Sequence, residues 1–174
     1  MNLKGRDFLT LKDFSTDEIN YLVDLGLDLK AKLKAGIPTP ILNGKSLGMI
    51  FQKSSTRTRV SFETGLTQLG GHAQFYNSTE MQLAHKESWA DTAKVLSRYL
   101  NGLLIRIYDL PELGMGREVV RTVAENASIP VINALDDFEH PCQCIADLVT
   151  MKEKFGEDFK KKKVVMSWAY SERF

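Results

Sequence analysis

The sequence predicts an α/β fold of three layers, a central parallel four-stranded sheet flanked by helices, followed by the first strand of a truncated second domain. Three observations predict it. Helical and extended patterns alternate along the chain, the pattern expected when parallel strands are joined by crossover helices. The 174 residues, 43% hydrophobic and 26% charged, suffice for one sizeable core. A fifth apolar stretch, Val164-Val165-Met166, stands almost at the end of the chain, with no helix after it to complete another strand–helix–strand unit.

Ser15-Thr16-Asp17-Glu18 has the form of a capping box, in which hydroxyl and carboxylate satisfy the free N–H groups at a helix start. Ile19, Leu22, Val23, Gly26, Leu29 and Leu33 then recur at helical spacing, until Gly36 and Pro38 stop the pattern. Ser46 to Phe51 reads as a buried strand, followed by a polar loop and a helix over Arg57 to Leu69 that Gly70-Gly71 closes. A short strand at Ala73 to Tyr76 leads into the polar segment Asn77 to Lys86 and a helix over Ser88 to Tyr99, with Ala93, Leu96 and Leu100 on one face. Next come a strand at Gly102 to Ile107, a loop through Leu113-Gly114-Met115-Gly116, a helix over Arg117 to Asn126, and a fourth strand at Ile129 to Asn133. His140 to Phe155 reads as a helix with Ile145, Leu148, Met151 and Phe155 inward, and Lys160 to Lys163 as a solvated turn.

Bulk properties narrow the function. With 23 basic and 22 acidic residues the net charge is +1, so no long-range field favours nucleic acid or an anionic membrane surface. Apolar runs are too short to span a bilayer, and Met1 to Asp7 lacks the apolar stretch of a signal peptide, so a cytoplasmic protein is expected. The 2 cysteines, Cys142 and Cys144, are poorly placed for a disulfide framework and too few for a zinc site; neither metal nor cofactor is expected.

The densest chemistry lies between the first strand and its helix, in Gln52-Lys53-Ser54-Ser55-Thr56-Arg57-Thr58-Arg59. Free N–H groups and the positive end of a helix dipole favour an anion there. Ser55, Thr56 and Thr58 add hydroxyl donors, and Arg57 offers a planar fork matching two phosphate oxygens. Taken alone, the segment is equally a Ser/Thr cap followed by solvent-facing arginines. It lacks the glycines and lysine of a P-loop, and no Gly-x-Gly-x-x-Gly follows a strand.

Ser-x-Arg-Thr-Arg after a strand resembles the phosphate signature of the aspartate and ornithine carbamoyltransferases. Further blocks agree in order: Ser61-Phe62-Glu63, Leu69-Gly70-Gly71, Gln82, His85-Lys86-Glu87-Ser88, Asp91 to Tyr99, Arg106, and His140-Pro141-Cys142-Gln143 followed by Ala146-Asp147-Leu148. The match covers nearly the whole chain and is nearest the ornithine branch.

The resemblance implies that carbamoyl phosphate donates its carbamoyl group to the side-chain amine of ornithine, giving citrulline and phosphate, without metal or covalent intermediate. It implies that Ser55, Thr56, Arg57 and Thr58 hold the phosphate, that Thr58, Arg106 and His140 point at the carbonyl oxygen, and that Gln143 accepts from the carbamoyl NH2. Arg59 is assigned to support of the loop. Gln82, on a polar excursion, is implied to reach a neighbouring subunit's site in a homotrimer. On this reading residues 1–150 form the carbamoyl-phosphate domain and 151–174 begin an amino-acid-binding domain, the chain being a fragment or one partner of a split enzyme. Outside the resemblance, Arg106 is as well a snorkelling strand-end residue, His140 a helix-start histidine, Gln143 a first-turn polar residue, and the Gln82 loop a mobile surface loop. Trp168-Ala169-Tyr170 and the longer segment Asp109 to Glu118 depart from the plain ornithine pattern and are similar to N-acetylornithine carbamoyltransferases. An acylated amine, or a non-catalytic phosphate-binding or trimer-forming module, therefore stands as the alternative.

Overall fold

A computed structural model describes residues 2–165 and 167. Four strands, β1 (Ser46–Phe51), β2 (His72–Asn77), β3 (Gly102–Arg106) and β4 (Val131–Leu135), form one parallel sheet in the order β2-β1-β3-β4. Five helices flank it: α1 (Thr16–Lys34), α2 (Thr56–Gln68), α3 (Trp89–Leu96), α4 (Met115–Asn126) and α5 (Pro141–Phe155). The predicted four-stranded architecture is thus the one observed.

The strands are apolar because both faces are covered. On one face Ile50, Leu103, Ile105 and Val131 pack with Ala93 of α3 and with Val120 and Val123 of α4. On the other, Leu47, Met49, Phe51 and Leu104 pack with Leu66 of α2. Met49, Leu103, Leu104 and Ile105 expose none of their surface, and each such side chain contributes about 1.5–3 kcal/mol of burial. The outer edge of β4 is covered near its start by the N-terminal segment, where the Phe8 N–H donates to the Val131 carbonyl at 2.8 Å and the Asn133 N–H to the Phe8 carbonyl at 2.9 Å.

The strand order places the site. From β1 the chain turns one way to β2, then returns past β1 to β3, so β1 and β3 lie side by side while their following loops diverge. Such a crevice outside the carboxyl ends is where open α/β sheets bind ligands. A register irregularity at Ile105/Arg106, with Ile105 opposite Asn133 but Arg106 opposite Leu135, re-aims the chain at the rim of that crevice.

Several boundaries differ from expectation for local reasons. The capping box at Ser15 is present, with reciprocal bonds of 3.2 and 2.8 Å between Ser15 and Glu18. β4 starts at Val131 rather than Ile129, since Pro130 has no N–H for the ladder. α3 stops at Leu96 instead of Tyr99, where the Ser97 hydroxyl donates to the Ala93 carbonyl at 2.7 Å. α4 begins at Met115, two residues before Arg117, after Gly114 at φ 105°. Phe155 does not turn inward; it is 51% exposed at the end of α5. The excursion after β2 contains a short 3-10 helix at Gln82–His85, and the lysine run begins inside another at Gly156–Lys161.

The expected fifth strand is not found where it can be judged. Val164 and Val165 are irregular and exposed, with no neighbouring strand among the described residues to pair with, and Met166 lies outside them. Trp168, Ala169 and Tyr170 also lie outside them. α5 runs across the expected domain boundary at residue 150 without a break.

Candidate active site

Helix α2 opens with an unusual cap. Ser55 is the N-cap residue, extended at φ −149°, yet its side chain makes no capping bond. Its hydroxyl instead donates to the Thr58 hydroxyl at 3.0 Å. The first main-chain bond into the helix is from Arg59 N–H to the Ser55 carbonyl at 3.1 Å. The N–H groups of Thr56, Arg57 and Thr58 are therefore left for another acceptor, at the positive end of a 13-residue helix.

Ser55, Arg57 and Thr58 line one cavity of about 620 Å³ together with Arg106 from the end of β3 and His140 and Gln143 from the start of α5. Arg106 reaches across the crevice, its Nη1 3.4 Å from the Thr58 hydroxyl. Its buried Nε has no hydrogen-bond partner, and its guanidinium lies 5.1 Å from the Tyr108 ring centre.

His140 is the N-cap of α5, but its imidazole makes no capping bond, and its buried Nδ1 is also unpartnered. Burial, and then the nearby Arg106 charge, hold its pKa below the ordinary 6.5, against the weaker pull of Asp147. A neutral imidazole beside a guanidinium follows. Gln143, one turn from Asp147, donates through Nε2 to that carboxylate at 2.9 Å, which leaves its Oε1 as a free acceptor.

The predicted residues are not all brought together. Thr56 and Arg59, three residues apart, share the opposite side of α2 and line a second cleft with Lys53, Phe75, Asn77 and Glu80. There Arg59 donates to Glu63 at 2.9 Å and stacks 3.9 Å from the Phe75 ring centre, while Lys53 is paired with Asp109. Gln82 stands exposed on the 3-10 helix beyond β2 and lines neither cleft.

The cavity also contains residues without a sequence-predicted role in the site: Ser61, Phe62, Cys142 and Ala146. Helical phase could have found Ser61, which lies one turn beyond Arg57 and Thr58 and donates to the Thr58 carbonyl at 3.0 Å. The Cys142 thiol is poorly placed to ionise. Burial pushes its pKa up to about 12, and Sγ donates weakly to the Asn133 carbonyl at 3.5 Å.

Among the described residues no group of three His, Cys, Asp or Glu side chains could hold a metal ion, and no helix is long and apolar enough to cross a membrane. The chemistry on offer is that of preorganised donors: backbone N–H groups, hydroxyls, two guanidiniums and a neutral imidazole around one cavity.

A family model described as the carbamoyl-P binding domain of aspartate/ornithine carbamoyltransferase matches residues 6–153. Ornithine carbamoyltransferase of Oceanobacillus iheyensis is 56% identical over 155 residues, covering 89% of this chain and 46% of the relative. Among solved structures, ornithine carbamoyltransferase from Pyrococcus furiosus matches with a TM-score of 0.82 and 46% identity, over 90% of this chain and 48% of that one. Aspartate transcarbamoylase from Trypanosoma cruzi, in complex with carbamoyl phosphate and aspartate, matches with a TM-score of 0.78 and 27% identity, over 89% and 46%. The chain spans about half the length of the curated relatives it matches.

Proposed function

Since this chain belongs to the aspartate/ornithine carbamoyltransferase family through its carbamoyl-phosphate-binding domain, we propose that it supplies the donor site for transfer of a carbamoyl group from carbamoyl phosphate to the side-chain amine of ornithine. The names of its curated relatives support ornithine over other acceptors. One observation carries the reading: unpartnered donors from β1's loop, β3 and α5 converge on a single cavity.

Phosphate sits at the start of α2, on the free N–H groups, the hydroxyls of Ser55 and Thr58, and the Arg57 fork. Thr56 contributes through its backbone, its side chain belonging to the second cleft. The carbonyl oxygen takes hydrogen bonds from Arg106, Thr58 and His140, and the carbamoyl NH2 donates to Gln143 Oε1. As the amine attacks the carbonyl carbon, negative charge grows on the carbonyl oxygen, and Arg106 and the imidazole N–H stabilise it. The tetrahedral intermediate then expels phosphate, whose charge Arg57 and the helix end neutralise. Neutrality of His140 suits a donor that need not shed a proton during the reaction.

In the same reading residues 1–150 form the carbamoyl-phosphate domain and 151–174 open an acceptor domain. Gln82 reaches the site of a neighbouring subunit in a homotrimer, supported by its exposure and its absence from the lining of its own cavity. A cytoplasmic setting and a place in arginine metabolism belong to this reading. The test is citrulline formation from carbamoyl phosphate and ornithine by the chain fused to the second half of the Oceanobacillus iheyensis relative, with N-acetylornithine as rival acceptor. Citrulline is the expected product. A folded fusion that binds the donor and carbamoylates neither amine reduces the chain to a phosphate-binding module.

A further inference from the structure

Among the described residues no hydrogen bond fixes the His140 ring. Its Nδ1 is unpartnered, and its side chain forms no cap on α5. Its position therefore depends on the path of the backbone between the end of β4 at Leu135 and Pro141.

That path is organised around one buried carboxylate. Asp136, 4% exposed, receives five hydrogen bonds: from the N–H groups of Phe138 and Glu139 at 2.7 and 2.8 Å, from Arg117 Nε and Nη2 at 2.9 and 3.1 Å, and from Asn133 Nδ2 at 3.0 Å. The Asp136 N–H closes the turn on the Glu139 carbonyl at 3.0 Å. Arg117 also lies 3.5 Å from a Glu139 oxygen and 4.7 Å from the Phe138 ring centre. The guanidinium thus touches three members of the link, Asp136, Phe138 and Glu139, through one planar group, a task that an ammonium cannot copy.

The adjacent Asp137 ties the same link to the start of α4. Its Oδ2 accepts from the Gly114 and Gly116 N–H groups at 3.0 and 2.7 Å. A Cβ at Gly116 would stand 2.5 Å from the Ile107 carbonyl oxygen, so the helix start is pressed against the residue that follows Arg106. The Ile107 N–H in turn donates to the Leu135 carbonyl at 3.0 Å. The ends of β3 and β4, which carry Arg106 and lead to His140, are one braced unit.

We propose that Arg117 and Asp136 are positioning residues that hold the His140 imidazole in the donor cavity beside Arg106. This rests on the role proposed above for His140, but the brace can be tested apart from that role. Burial opposes ionisation of Asp136, but the bonds from Arg117 and from the Phe138 and Glu139 N–H groups outweigh it and hold the carboxyl below its ordinary pKa, so the brace stays charged at neutral pH.

The test is an NMR titration of the His140 ring protons in the 174-residue chain. The charged groups that perturb His140 are Arg106 on β3 and Asp147 on α5. If the brace fails, the ring leaves its buried place beside Arg106, and its midpoint rises toward 6.5. Asp136→Asn is the sharper variant, since loss of a nearby negative charge by itself would lower a histidine pKa. Arg117→Lys keeps the charge and removes the fork, so a rise there cannot be Coulombic either. The expected result is an upward shift of His140 in both variants. In parallel, affinity for a phosphonate analogue of carbamoyl phosphate falls about tenfold while affinity for inorganic phosphate is kept, because only the carbonyl end of the site is disturbed. Folded variants whose His140 midpoint is unchanged or lowered overturn the proposal, as does failure of both variants to fold, which would assign the pair to stability alone. Should the unaltered chain bind neither ligand, the proposed function falls, and the titration still decides the brace.

Discussion

Two clefts flank the start of α2, both at the carboxyl edge of the sheet and both rich in cations, yet only one is fit to receive an anion. In the cleft of Thr56 and Arg59, each cation already has a partner: Arg59 has Glu63 and Phe75, and Lys53 has Asp109. In the cleft of Arg57 and Thr58, the Arg106 Nε and the His140 Nδ1 have none, and no ion pair of Arg57 occurs among the described residues. The two arginines of Arg57-Thr58-Arg59 are chemically identical and differ by two steps of helical phase. The comparison teaches that an anion site is recognised by unsatisfied donors, rather than by a count of positive charges.

The comparison breaks if the two arginines behave alike. Arg57→Ala removes a charge-assisted fork and is expected to cost about 1.5–3 kcal/mol of phosphate binding, roughly 10- to 150-fold in affinity by calorimetry, with little change in thermal stability. Gly116→Ala acts on the brace side alone. Its Cβ meets the Ile107 carbonyl oxygen and Asp137, and overpacking of this kind costs about 1–3 kcal/mol, a fall in midpoint of several degrees by calorimetric scanning. Arg59→Ala loses an exposed pair within one helix and an aromatic stack, so stability drops by under about 1 kcal/mol and phosphate affinity stays close to that of the unaltered chain.

The smallest effect concerns pH. His140 has a folded pKa below 6.5, so above that value both folded and unfolded chains hold it neutral. As pH falls below 6.5 the unfolded chain takes up the proton first, and stability is lost until the folded pKa is passed. His140→Gln is therefore expected to flatten the decline in urea midpoint on the acid side of 6.5, leaving the neutral range unchanged.

How much of this was legible in the sequence depends on the range of the forces involved. β1 has the predicted bounds, since a strand buried on both faces must be an apolar run. The capping box of α1 was legible for the same local reason. The start of α4 was not, because the carboxylate that caps it, Asp137, is 21 residues beyond Gly116. The phosphate loop announced its chemistry but not its division, which helical phase makes by turning Thr56 and Arg59 away from Arg57 and Thr58. Arg117 and Asp136, 19 residues apart, carry no local pattern at all, and only the fold brings them together.

The most direct measurement is the affinity of the 174-residue chain for a phosphonate analogue of carbamoyl phosphate, read by calorimetry beside its Arg57→Ala and Arg59→Ala variants. The account predicts saturable binding that Arg57→Ala weakens at least about tenfold and Arg59→Ala leaves within about twofold. Equal losses in the two variants, or no binding by the unaltered chain, would contradict it.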